Sequence, residues 1–64
     1  MKRVDLIKHL NIYSCFLYRE GANHSIFINP VNNYKTSIPR HKDLKNNTCK
    51  EICKQLDIPI TSSF

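Results

Sequence analysis

The sequence has a single glycine, no tryptophan and few acidic residues, and these scarcities narrow its possible functions. With Gly21 as its one glycine, the chain has no glycine-rich loop to cradle nucleotide phosphates, which argues against nucleotide hydrolysis. No apolar run approaches the roughly 20 residues that cross a bilayer, so we expect no membrane association. The stretch LIKHLNI is too short and too polar for a secretory segment, and we expect a reduced, cytoplasmic protein.

The chain has three cysteines, which cannot all pair within one molecule: Cys15, Cys49 and Cys53. Cys49 and Cys53 stand one helical turn apart and, with His9 and His41, would supply four zinc ligands. Their place on an apolar stripe with Ile52 favours small buried hydrophobes instead, because free cysteine behaves as one. We therefore predict neither a metal nor a cofactor.

A surplus of cations is the strongest feature of the composition. The chain has ten Lys and Arg residues but only five Asp and Glu, which gives a net charge of +5 in 64 residues. The excess favours a polyanion, most simply a nucleic acid, or an acidic protein, over a merely soluble surface. A core this small seldom supplies more than about 3–5 kcal/mol, so a partner protein is the expected source of further stability.

Two segments have the apolar spacing of amphipathic helices. The first, Lys2 to Leu10, carries Leu6, Ile7 and Leu10 at helical spacing. Thr48 and Glu51 have the spacing of a capping box and should begin the second helix. Its apolar stripe consists of Cys49, Ile52, Cys53 and Leu56. Pro59 ends it, and residues 60–64 should form a frayed tail.

Three segments between the helices predict strands: Cys15–Glu20, His24–Asn29 and Tyr34–Ile38. Gly21, Ala22 and Asn23 fit a hairpin loop between the first two, and an Asn- and Pro-rich turn joins the last two. The order predicts an α+β fold, a two-layer α-β-β-β-α sandwich with a three-stranded antiparallel sheet, over the single domain 1–64. Period alone leaves open whether the His24 or the Ser25 side of the middle strand is buried.

His24, just after the hairpin, is the first candidate for chemistry. Histidine exchanges protons near neutral pH, so facing RNA it could deprotonate a ribose 2′-hydroxyl for attack on the adjacent phosphate. A solvated or hydrogen-bonded histidine on a strand is the alternative.

Cations clustered in the sequence form the second candidate, a surface that could bind RNA phosphates. We call these residues the basic set: Lys2, Arg3, Arg40, His41, Lys42 and Lys45. The alternative is a solvated loop. Three tyrosines could stack on bases or fill the core: Tyr13, Tyr18 and Tyr34.

The order of short motifs resembles the HicA family, the toxin halves of HicAB toxin–antitoxin pairs. The motifs are a basic first helix KRVDLIKHL, REGANH followed by SIF, then NP, IPRH and ICKQLDIP. The resemblance implies a fold like a double-stranded-RNA-binding domain and metal-independent mRNA cleavage. It also implies inhibition by a HicB-like antitoxin, through which the toxin could form a homo-oligomer. It places the catalytic histidine at His24, the turn at Gly21, and RNA contacts at Arg40 and His41.

Two positions depart from the family pattern, since relatives usually have glycine where this chain has Ser14 and often where it has Asp57. Helix ends at these positions could be strained, because a left-handed backbone favours glycine. Other readings remain open: a non-catalytic RNA-binding module, a degenerate toxin acting only through its protein partner, or a structural partner for an acidic protein.

Overall fold

The computed structural model describes residues 1–60, which form two helices and three strands. The elements are α1 (Arg3–Ile12), β1 (Phe16–Glu20), β2 (His24–Asn29), β3 (Tyr34–Pro39) and α2 (Asn46–Gln55). The strands form one antiparallel sheet in the order β1-β2-β3. The predicted α-β-β-β-α order is therefore confirmed, with the range of β2 matched in full. Of the predicted tail, residues 61–64 lie outside the described part of the chain.

The two helices cover one face of the sheet, and the core lies between these layers. Phe27 of β2 and Ile38 of β3 join a buried cluster with residues of α1 and α2. Its helical members are Leu6, Leu10, Cys49, Ile52 and Cys53. The predicted stripe of α2 is thus confirmed as its buried face. Neither helix has the length or the apolar run that spanning a membrane requires.

The middle strand turns its Ser25, Phe27 and Asn29 side toward the helices. Asn29 is 4% exposed and its side-chain amide donates to the Leu56 carbonyl at 2.8 Å, which satisfies a carbonyl at the end of α2. Because side chains alternate along a strand, His24 points to the opposite, open face of the sheet. This settles the choice that sequence periodicity left open.

The predicted capping box at the start of α2 is wrong. The helix begins at Asn46, two residues before Thr48, with Lys45 as an N-cap that makes no side-chain cap hydrogen bond. The start is fixed by a distant segment, because Leu44 and Met1 exchange backbone hydrogen bonds of 2.8 Å in both directions. Leu44 is also buried, so packing sets the point where the chain turns into the helix.

Both helix ends that depart from the family pattern have a left-handed backbone. Ser14 has φ of 68° and Asp57 has φ of 57°. Replacing Ser14 by glycine removes a steric cost, partly offset by the greater freedom of glycine in the unfolded chain. We expect Ser14→Gly to raise the free energy of unfolding by about 0.5–1 kcal/mol, measured by urea denaturation.

A matched control is Lys50→Gly, at an exposed position inside α2, which should destabilise the protein by about 0.5–1 kcal/mol. Asp57→Gly should stabilise less than Ser14→Gly, because aspartate tolerates the left-handed region better than serine. A Ser14→Gly protein that unfolds at lower urea than the parent would contradict the assignment of strain.

Candidate functional site

His24 opens β2 on the open face of the sheet, directly after the hairpin loop. The Gly21 N–H donates to the His24 carbonyl at 2.7 Å and closes the hairpin. In the sheet register His24 lies opposite Pro39 of β3. Its side chain is exposed, and within residues 1–60 no hydrogen bond or ion pair engages the ring. The backbone is therefore fixed while the imidazole remains available to a substrate.

Gly21 is required here by a close approach of the backbone, since its φ is not positive. A Cβ added at this position would lie 3.0 Å from the His24 carbonyl oxygen, tighter than ordinary van der Waals contact. Any other residue would push against the backbone of His24. The predicted turn-forming role of Gly21 thus has a specific physical basis, a contact with the residue that carries the candidate base.

The fold brings the first turn of α1 beside the connector that follows β3. The Arg3 N–H donates to the Lys42 carbonyl at 2.9 Å, and Lys2 forms an isolated backbone bridge with Asp43. A groove of about 420 Å³ lies here, lined by Lys2, Arg3, Val4, Ile7 and Lys42. A second cavity of about 330 Å³ adjoins the hairpin, lined by Ala22, Asn23, Arg40 and His41. The fold therefore places Lys2, Arg3 and Lys42 in one groove, and Arg40 and His41 in a cavity that the hairpin loop also lines.

Two members of the basic set are engaged within the protein. The Arg3 guanidinium donates through Nε to the Pro39 carbonyl and through Nη2 to the Ser25 hydroxyl, each at 2.9 Å. Arg40 donates to the Gly21 carbonyl at 2.6 Å and forms a 3.2 Å ion pair with Glu20. The remaining members are exposed: Lys2, His41, Lys42 and Lys45.

Glu20 is a site residue that the sequence analysis missed. Its carboxylate accepts a 2.5 Å hydrogen bond from the Ser25 hydroxyl in addition to the ion pair with Arg40. The Ser25 hydrogen bond, followed by the Arg40 contact, holds the pKa of the Glu20 carboxyl below its ordinary value. Ser25 also faces Glu20 in the strand register. The sequence alone does not show this strand register, and without it nothing identifies Glu20 as a partner of Arg3 and Arg40.

The three tyrosines lie outside the core, which removes one of their two predicted roles. Tyr18 and Tyr34 are each 53% exposed and Tyr13 is 38% exposed. The Lys35 ammonium lies 4.9 Å from the centroid of the Tyr18 ring, a cation–π contact. The Tyr18 ring is thus available as a flat apolar surface beside a cation.

All three cysteines are free and buried. Burial, with the nearby Cys49 and Cys15 thiols, raises the pKa of Cys53 to about 11, so this thiol is protonated at neutral pH. His9, considered as a zinc ligand above, lies 2.8 Å through Nε2 from the Pro59 carbonyl, to which it donates. Within residues 1–60, no group of three or more His, Cys, Asp or Glu side chains is placed to bind a metal ion.

A family model described as "HicA toxin of bacterial toxin-antitoxin" matches residues 4–58 of the 64-residue chain. The match includes α1 except its first residue, the whole sheet and α2, and therefore the hairpin, the connector and every residue of the basic set except Lys2 and Arg3. Comparison with curated proteins and with solved structures finds no match.

Proposed function

The chain belongs to the HicA toxin family, and from this premise we propose that it is an endoribonuclease that cleaves mRNA with His24 as its general acid or base. Membership in a toxin–antitoxin family implies an antitoxin partner. We propose that this partner is a HicB-like protein and that both act in the cytoplasm. The single observation that carries the proposal is the exposed His24 ring on a fixed hairpin beside a basic cavity.

The chemistry follows from the position of the ring. His24 takes the proton of a ribose 2′-hydroxyl, and the oxygen attacks the adjacent phosphorus. The bond from phosphorus to the 5′-oxygen breaks, and that oxygen leaves as a hydroxyl after receiving a proton from the imidazolium. The products are a 2′,3′-cyclic phosphate and a 5′-hydroxyl end, and this route needs no metal.

The exposed cations bind the substrate in this proposal. Negative charge builds up on the phosphate oxygens as the phosphorus becomes five-coordinate, and nearby positive groups stabilise it. His41 lines the cavity beside the hairpin, and Lys2 and Lys42 line the groove next to it. Tyr18, on the sheet, offers an exposed ring on which a base can stack.

Purified protein incubated with end-labelled single-stranded RNA in EDTA tests this function. We expect cleavage at the same rate with and without EDTA, and no cleavage of DNA of the same sequence, because DNA lacks the 2′-hydroxyl. Mass spectrometry should find 2′,3′-cyclic phosphate ends. Cleavage that stops in EDTA and returns with Mg²⁺ would contradict the mechanism, and RNA that is bound but intact would indicate a non-catalytic RNA-binding module.

A further inference from the structure

Four polar side chains form a continuous chain of hydrogen bonds around the hairpin, which we call the hairpin network: Arg3, Ser25, Glu20 and Arg40. Arg3 Nη2 donates to the Ser25 hydroxyl, which donates to Glu20 Oε1, and the same oxygen pairs with Arg40 Nη2. The network joins the first turn of α1 to β1, β2 and the residue that follows β3. Arg3 also donates to the Pro39 carbonyl, 36 positions away in the chain, so every strand of the sheet is tied to the network.

The network fixes each backbone segment that places His24. Glu20 and Ser25 face each other where the hairpin leaves β1 and returns into β2. Arg40 donates to the Gly21 carbonyl at 2.6 Å and to the Ala22 carbonyl at 3.4 Å, so it holds the loop itself. Arg3 donates at 2.9 Å to the carbonyl of Pro39, the residue opposite His24 in the sheet.

We propose that Glu20 and Arg40 are positioning residues, which hold the hairpin so that the His24 ring meets the reacting 2′-hydroxyl in a productive geometry. This inference depends on the proposed cleavage by His24. It also gives Arg40 a role different from a phosphate contact, because an Arg40 guanidinium that turned toward a phosphate would leave two loop carbonyls and Glu20. A displacement of about 1 Å at a reacting group can cost on the order of 10²-fold in rate.

Glu20 and Arg40 have opposite charges, so their variants distinguish a positioning role from a role in attracting RNA electrostatically. Removing Glu20 makes the protein more positive, so attraction alone predicts tighter RNA binding and cleavage at least as fast. Positioning predicts the reverse for catalysis. We expect Glu20→Ala and Arg40→Gln each to lower kcat by about 10–100-fold, with a far smaller change in KM.

Three comparisons sharpen the kinetic test. Glu20→Gln keeps an acceptor oxygen and should recover much of the kcat lost in Glu20→Ala. The double variant should lose no more kcat than either single variant, because both break one network. Lys54→Gln, on an exposed residue of α2, removes the same charge as Arg40→Gln away from the hairpin and should leave kcat unchanged.

Amide hydrogen exchange gives a readout that does not depend on cleavage. The Gly21 N–H, which closes the hairpin on the His24 carbonyl, should exchange faster in Glu20→Ala and Arg40→Gln than in the parent or Lys54→Gln. Amides of the core helices should be unchanged, because a partly exposed ion pair contributes little to global stability.

The outcomes separate this inference from the proposed function. If the parent cleaves RNA but both variants keep its kcat and its slow Gly21 exchange, the positioning role is overturned and the function stands. If the Glu20 and Arg40 variants exchange the Gly21 amide faster and lose kcat in the parent, but cause no further loss of cleavage in a His24→Ala background, both the positioning role and the proposed function are supported. A parent protein that never cleaves RNA overturns the function, and with it the role of the network in catalysis, while exchange still shows whether the network orders the hairpin.

Discussion

Replacing His24 by alanine is expected to lower the rate of RNA cleavage by about 10²–10⁴-fold, the usual contribution of a positioned acid or base. The fold should be unaffected, because the ring is exposed and makes no hydrogen bond or ion pair within residues 1–60. His24→Gln tests the same point with less change in shape, since glutamine can hydrogen-bond but does not exchange protons near neutral pH. Initial rates on a labelled RNA, with unfolding curves of all proteins, provide the measurement.

His41→Ala is the matched control, because His41 is also an exposed histidine and lines the cavity beside the hairpin. As a proposed phosphate contact it should raise KM and leave kcat closer to the parent value. The assignment of the catalytic base would be wrong if His41→Ala lost the larger share of kcat, or if His24→Ala cleaved as fast as the parent with an unchanged unfolding curve.

Local patterns were sufficient to predict those parts of the fold that neighbouring residues determine. The single glycine between two apolar segments predicted the hairpin, and the i, i+3, i+4, i+7 spacing predicted the buried face of α2. The family pattern correctly singled out Ser14 and Asp57 as helix ends that favour glycine. Each of these features depends on residues that are close together in the sequence.

Long-range contacts account for what the sequence left open or predicted wrongly. Apolar residues occur on both sides of β2, so only the structure, in which Phe27 belongs to the core cluster, shows which side faces the helices. The start of α2 depends on Leu44 pairing with Met1, 43 positions away, which outweighs a local capping pattern. Neither the composition nor the periodicity of a single sequence predicts such long-range pairings.

The candidate site shows the same division. Clustered charge predicted a basic surface, and its members Lys2, His41, Lys42 and Lys45 are exposed, while their contact with RNA stays a prediction. Arg3 and Arg40 looked alike in sequence but are bound to Ser25 and Glu20. Their partners are set by strand register and by the placement of α1 against the sheet, so charge alone could not distinguish them.

Leu10→Ala is expected to unfold most of the isolated protein. Leu10 is fully buried in the core cluster, and its carbonyl accepts the N–H groups of Tyr13 and Cys15 where α1 ends. Truncating a buried leucine typically costs about 2–5 kcal/mol. A single small core seldom supplies more than about 3–5 kcal/mol in total, so we expect the variant to retain little or no net stability. Circular dichroism should show a lost or strongly lowered unfolding transition.

Ile12→Ala, in the same helix, is the matched control, because Ile12 is 75% exposed and its truncation should change stability by no more than about 0.5 kcal/mol. The antitoxin implied by the family offers a second arm of the experiment. A partner that binds only the folded chain stabilises it by about 2.7 kcal/mol at a hundredfold excess over its Kd. Leu10→Ala should therefore regain a folded circular dichroism spectrum when titrated with the antitoxin. A variant that unfolds like Ile12→Ala without a partner would show that the core does not limit the stability of this protein.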